Sequence, residues 1–200
     1  MTKMKKLLIA TSLLYSLNSF DNSLFAQTPK PKLNAVVDTV QIKEKFDYAK
    51  KLLDLEKEAG FDVKSSHYQT LDSLVNKLGK NIYFGGVDED SKRTQVVNNL
   101  EIIDLTLKKD NFIYKDNTDL LFCEALKTKN LNSFHFLVLY LEVASKKNFT
   151  IEPIKVGEHF FINYALDSLN FIKWETTFGV EQSENLYKKL AKNNKKIKDL

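Results

Sequence analysis

Three side chains in the second half of the chain have the types and the order of a nucleophilic site. Ser133 precedes an apolar run over residues 134–144, His159 opens a later run rich in β-branched and aromatic residues, and Glu175 ends the next such run. A nucleophile benefits from the positive end of a helix dipole, an imidazole that accepts its proton and a third group that orients the imidazole. Ser133, His159 and Glu175 are therefore candidates for nucleophile, base and orienting acid.

Each candidate also has an ordinary structural explanation. Either Ser133 or Asn132 can cap the helix that follows, because both side chains accept backbone hydrogen bonds. His159, next to two phenylalanines, can be a partly buried strand residue. Glu175 can be solvated or pair with a nearby lysine, either Lys173 or Lys155, and Trp174 is expected in the core. These alternatives leave the chemistry of the site open at this stage.

Histidine and cysteine content limits other kinds of site. The chain has one cysteine, so it forms neither an internal disulfide nor a multi-cysteine zinc site, and Cys123 in the apolar context LLFCEAL is expected to be a buried, inert thiol. His135 and His159 provide only two imidazoles in this region, which predicts no metal site. No glycine-rich phosphate loop is present, and we expect no cofactor.

The elements that must position the three candidates follow from the apolar pattern. Nine of the eleven residues in 134–144 are apolar, which predicts a central buried helix. The runs 149–156, 159–164 and 169–175 predict three short antiparallel strands, with turns at 157–158 and 165–168. A proline at position 153 indicates an edge strand or a bulge for the first of them. The imidazole and the carboxylate would then lie on neighbouring strands beside the helix.

The first half of the chain has helical periodicity. Helices are predicted from about residue 40 to Gly60, over 65–78 with Gly79 as the stop, over 94–107 and over 118–126, and residues 81–91 are predicted to form a polar loop. A lysine-rich helix is predicted over 181–198. The expected fold class is α+β: a helical N-terminal half, then a buried central helix packed on a small antiparallel sheet.

Several segments resemble the transglutaminase-like superfamily, which has a papain-like core, and in particular its bacterial invasion-gene-regulator-type branch. They are LDSL at 71–74, DNTDLLFCEALKTKN at 116–130, LVLYLEVA at 137–144, GEHFFI at 157–162 and WETTFG at 174–179. The resemblance covers roughly residues 40–185. It implies the papain/transglutaminase-like core as the fold.

In catalytic members of that superfamily a cysteine opens the buried helix and pairs with a strand histidine and a following acid. Ser133 stands at the cysteine position here, preceded by Leu131 and Asn132 where a Gly-Asn pair often stands. The resemblance therefore implies a degenerate, non-catalytic binding or interaction module more than an enzyme. The alternative is an amide or peptide hydrolase, or an acyl transferase, that uses a Ser133-His159-Glu175 triad. A third possibility is a structural envelope protein unrelated to the superfamily.

The N-terminus predicts export. Three lysines precede an apolar run at residues 7–17, which is shorter than the ~20 residues that a membrane-spanning helix needs. We assign residues 1–26 to a signal peptide, 27–39 to a linker and 40–200 to one domain, with a helical part at 40–130, a catalytic-core-like part at 131–180 and the lysine-rich helix at 181–200. The expected location is periplasmic or secreted, and no transmembrane helix is expected after cleavage. The partner is expected to be an unknown protein or peptide.

Nucleic acid is not an expected partner. The formal net charge of the chain is +4, and the first 26 residues carry three lysines and one aspartate, so the predicted domain is nearly neutral.

Overall fold

A computed structural model describes residues 47–83, 85, 88–116, 120–156, 159–167 and 170–182. Its helices are α1 (Tyr48–Glu58), α2 (Ser65–Gly79), α3 (Glu89–Lys109), α4 (Phe122–Thr128) and α5 (Ser133–Lys147). Its strands are β1 (Ile113–Tyr114), β2 (Asn130–Leu131), β3 (Glu152–Val156), β4 (His159–Ala165), β5 (Phe171–Glu175) and β6 (Val180–Glu181). The predicted α+β class is confirmed.

The predicted central helix is the axis of the core. Ten consecutive residues of α5, from His135 to Ala144, are buried, so helices pack on one side of it and the sheet on the other. α1 and α2 contact α5, and β4 covers another face. On the sheet side, the buried Trp174 indole donates a 3.0 Å hydrogen bond to the Tyr140 hydroxyl, which donates in turn to the Leu100 carbonyl of α3. This chain of contacts ties the sheet to two helices.

The main sheet is an antiparallel meander in the order β3-β4-β5-β6. Phe161 of β4 pairs with Ile154 on one side and with Glu175 on the other. β3 lies at the edge of this sheet, with Pro153 opposite Ile162. The edge position predicted from the proline is therefore confirmed, because a residue without an N–H costs least where no second neighbour is paired.

Several predicted boundaries were wrong. α3 begins at Glu89, not at residue 94, because the Asp88 carboxylate caps it by accepting from the Ser91 N–H at 2.8 Å. α4 covers residues 122–128 where 118–126 was predicted. The predicted C-terminal helix does not begin at Glu181, since that residue pairs with Trp174 in β6. Residues 183–200, and residues 1–46 with the predicted signal peptide and linker, lie outside the described residues.

A short parallel pair was not predicted. β1 pairs with β2, with Ile113 opposite Asn130 and Tyr114 opposite Leu131. The Lys115 N–H continues the pairing by donating to the Leu131 carbonyl at 2.8 Å. β2 leads directly into α5, so this pairing holds the segment just before the helix. Within the described ranges, none of the helices has both the length and the apolar character required to span a membrane.

Candidate functional site

The N-terminus of α5 is built around Asn132 and His135. The Asn132 side chain accepts from the His135 backbone N–H at 2.9 Å, and the His135 Nδ1 accepts from the Asn132 N–H at 3.4 Å. This reciprocal pair is a capping box, in which two helix-end donors are satisfied by side chains. Asn132 is therefore the cap, and Ser133 is the half-buried first residue of the helix.

His135 belongs to the structure of this helix end. Its imidazole is buried against the Phe122 ring, with 5.3 Å between ring centroids, and near the Phe134 ring at 6.3 Å. Burial lowers the pKa of the His135 imidazole from its ordinary 6.5 to about 3, because an apolar environment disfavours the charged form. The ring is therefore neutral at physiological pH, as an Nδ1 acceptor must be. The role of His135 as one half of the helix cap was not predicted from the sequence.

The start of β4 lies against the start of α5. The Phe134 and Phe160 rings are in contact, with 5.7 Å between centroids. His159 precedes Phe160, and its backbone pairs with Val156 at the hairpin end of the strand. The structure thus brings the chain segments of Ser133 and His159 together. The imidazole of His159 lies outside the described part of the structure, so the predicted triad geometry stays a prediction.

Glu175 ends β5 and holds the turn that follows. Its carboxylate is buried and accepts from the Thr177 N–H at 3.1 Å and from the Phe178 N–H at 2.7 Å. The Thr176 hydroxyl donates to the Phe160 carbonyl at 3.2 Å, which links the same turn to the start of β4. The Glu175 carboxylate is therefore buried rather than solvated, and each of its oxygens accepts from one backbone amide of this turn. The side chain of Lys155, one of its two predicted partners, lies outside the described part of the structure.

The single cysteine lies in α4 and is not one of the candidate site residues. Cys123 is buried in the first turn of α4, where the Glu56 carboxylate accepts from the Phe122 N–H at 2.5 Å and from the Cys123 N–H at 3.0 Å. Burial, followed by the charge of the Glu56 carboxylate, raises the pKa of Cys123 to about 12. The expected burial of the thiol is confirmed, and its inertness stays a prediction.

Glu56 is one of two buried carboxylates that cap helices from a distance. Glu142 of α5 accepts from the Ala49 N–H at 2.9 Å, at the start of α1, and pairs with Lys146 at 3.5 Å. Neither α1 nor α4 has a cap from its own preceding side chain. Burial raises the pKa of both carboxyl groups. Neither residue was identified from the sequence as a cap, although the acidic residue within an apolar run at 142 was a visible signal. In the described part of the chain no cluster of three or more potential ligand side chains could hold a metal ion.

The family model of the transglutaminase-like superfamily matches residues 50–184. The chain belongs to this superfamily. The match includes the head of α5, the start of β4 and the turn after β5, which are the elements of the candidate site. No curated protein and no solved structure matches the chain.

The segments that carry the family resemblance have structural tasks in this chain. In LVLYLEVA, the Tyr140 hydroxyl joins the sheet to α3, and Glu142 caps α1. In WETTFG, Trp174 donates to Tyr140, and Glu175 closes the turn. The motif residues therefore maintain the scaffold around the head of α5 whether or not chemistry takes place there.

Proposed function

We propose that this transglutaminase-like protein is a non-catalytic binding module of the cell envelope, exported by its N-terminal segment and directed at a protein or peptide partner. The observation that carries the proposal is the position of the only cysteine. Cys123 is buried in α4 under the Glu56 carboxylate, and the residue that opens α5 is Ser133. On this proposal, Ser133 stands where catalytic members of the superfamily have their nucleophilic thiol.

The chemistry of the two side chains supports this proposal. Because burial raises the pKa of Cys123 to about 12, the thiol is protonated at pH 7, whereas the thiolate is the reactive form. Serine has no accessible anion and needs a base in tight geometry together with an oxyanion hole. The acid that would orient such a base, Glu175, has its carboxylate on two backbone amides.

Export is supported by the three lysines and the short apolar run at the N-terminus. An envelope location also fits a chain whose one cysteine is buried, because an exposed thiol would be open to oxidation there.

The experiment compares the full chain with Ser133→Ala on γ-glutamyl amides and on peptide p-nitroanilides. The expected result is that neither protein exceeds the buffer rate. Turnover by the wild type that disappears in Ser133→Ala, with the circular dichroism spectrum intact, would overturn the proposal.

The second candidate is a serine amide hydrolase or acyl transferase with Ser133 as nucleophile, His159 as base and Glu175 as orienting acid. The Phe134–Phe160 contact favours it, because this contact brings the segments of the first two residues together. A Ser133→Cys variant tests the shared premise that position 133 is the ancestral nucleophile position. Alkylation-sensitive turnover gained by that variant would support the premise, and a Ser145→Cys variant near the other end of α5 is the matched control.

A further inference from the structure

An open cleft of about 510 Å³ lies along the first half of α3 and uses none of the residues of the candidate site. The described residues that line it contribute one aromatic ring, two hydroxyl side chains and three amide side chains: Tyr83, Ser91, Thr94, Gln95, Asn98 and Asn99. No described lining residue is charged. A volume of this size is within the range of ligand sites, which is ~300–1,000 Å³.

One wall of the cleft is held rigidly by two of the amides. The Asn99 side chain donates to the Tyr83 carbonyl at 2.6 Å and accepts from the Tyr83 N–H at 3.4 Å, and the Gln95 side chain makes the same two contacts with Gly85 at 3.3 Å each. Four residues of helix rise about 6.0 Å and two residues of extended chain rise about 6.6 Å. Gln95 and Asn99, one helical turn apart, therefore fix the backbones of Gly85 and Tyr83 beside α3.

This pairing presents the Tyr83 ring to solvent. The residue is 67% exposed although both of its backbone polar groups are bonded to Asn99. Ser91, Thr94 and Asn98 are exposed on the adjoining turns of α3. A sugar has apolar C–H faces and hydroxyl edges. The exposed Tyr83 ring matches such a face, and the neighbouring hydroxyl and amide groups, which both donate and accept hydrogen bonds, match the edges.

The charge around the cleft limits the ligand. The nearest helix end is capped by the Asp88 carboxylate, which accepts from the Ser91 N–H, so the positive end of α3 is already occupied by an anion. Phosphate and carboxylate ligands are disfavoured for that reason. Among the described lining residues, five of the six have hydroxyl or amide side chains, which disfavours a purely apolar ligand. A neutral, hydroxyl-rich ligand remains.

We propose that the cleft of Tyr83 and α3 binds a neutral oligosaccharide, with the Tyr83 ring as the stacking platform and Thr94 and Asn98 as hydrogen-bonding groups. This inference goes beyond the proposed function, because it adds a second ligand class at a separate surface.

The test is titration calorimetry of the full chain with neutral tetrasaccharides, namely the tetramers of N-acetylglucosamine, glucose in α-1,4 linkage and glucose in β-1,4 linkage. At least one is expected to bind. Tyr83→Ala is expected to weaken that binding about three- to tenfold, the range that loss of an aromatic stacking contact gives, and Asn98→Ala is expected to weaken it further when combined. Tyr83→Phe keeps the ring and is expected to retain binding.

Tyr114→Ala is the matched control, since Tyr114 is also an exposed tyrosine but lies in β1. Absence of binding by all three tetramers at 10 mM would overturn the proposal. Equal affinity in the wild type and Tyr83→Ala would also overturn it. A third contradicting result is displacement of the sugar by a tetragalacturonate, or by an uncharged Ser/Ala octapeptide, at a lower concentration than the sugar itself. These outcomes are independent of Ser133, so they are distinguishable from failure of the proposed function.

Discussion

Replacing His135 by glutamine is expected to reduce the loss of unfolding free energy that occurs as the pH falls from 7 to 5. His135 is buried and its pKa is lowered from 6.5 to about 3, whereas the unfolded chain binds a proton at about the ordinary value. A group with a depressed folded-state pKa contributes stability that is present above its unfolded pKa and is lost as the pH falls towards its folded pKa. From pH 7 to pH 5 the imidazole should therefore cost the wild type about 2 kcal/mol of unfolding free energy.

The assay is urea denaturation at half-unit steps between pH 5 and pH 7, followed by the fluorescence of Trp174, the only tryptophan. Glutamine keeps an acceptor for the Asn132 N–H but has no proton to gain. The buried carboxyl groups with raised pKa, Glu56, Asp104 and Glu142, contribute in the opposite direction: their stability is present below the unfolded pKa and is lost as the pH rises through the folded pKa. They are the same in both proteins, so the difference between the two profiles isolates the imidazole.

His67→Gln is the matched control. His67 has the same position in the capping box of α2, where its Nδ1 accepts from the Lys64 N–H at 3.0 Å, but it is only partly buried. Its replacement removes a capping imidazole that is not fully buried, so the two variants separate the effect of burial from the effect of losing a cap. If His135→Gln and the wild type lose the same free energy over this range, to within about 0.5 kcal/mol, the argument from burial is refuted.

Two further predictions concern the scaffold, and both are measured by urea denaturation. Glu56→Ala removes the acceptor of two buried N–H groups and should lower the unfolding free energy by about 2–4 kcal/mol. Glu58→Ala, on the exposed face of the same helix, should change it by less than about 0.5 kcal/mol. Equal effects of the two variants would contradict the capping role of Glu56. Gly179 has φ +65°, and an added Cβ would overlap the side chain of Asp104. Gly179→Ala should therefore lower the unfolding free energy by about 2–4 kcal/mol. Gly60→Ala, at φ +84° with open space around it, should lower it by about 1 kcal/mol. Similar losses in the two variants would show that the contact with Asp104 is unimportant.

The central helix and the three-stranded meander could be predicted because their signals are local. Nine apolar residues in eleven require burial on most sides, and the start of α5 lies at one of the two residues, Asn132 and Ser133, that could cap it. The proline at 153 identified an edge strand because the missing N–H is a property of that one residue.

The distant caps could not be predicted, because they depend on contacts between residues far apart in sequence. Glu56 caps a helix 66 residues away, and Glu142 caps one 93 residues away. The two-residue strands β1 and β2 have too few residues for a periodic pattern. At the candidate site, residue types suggested Glu175 as an orienting acid. That its carboxylate also accepts from two N–H groups of the following turn could not be predicted, because these bonds depend on the geometry of that turn.

The central claim is that the chain has the transglutaminase-like scaffold without a reactive nucleophile. Mass spectrometry of the intact full chain, after incubation with a fluorophosphonate and separately with iodoacetamide at pH 7.5, tests it most directly. We predict no adduct on the native protein with either reagent, and alkylation of Cys123 only after urea is added. A fluorophosphonate adduct mapped to Ser133, absent from Ser133→Ala, would contradict the claim.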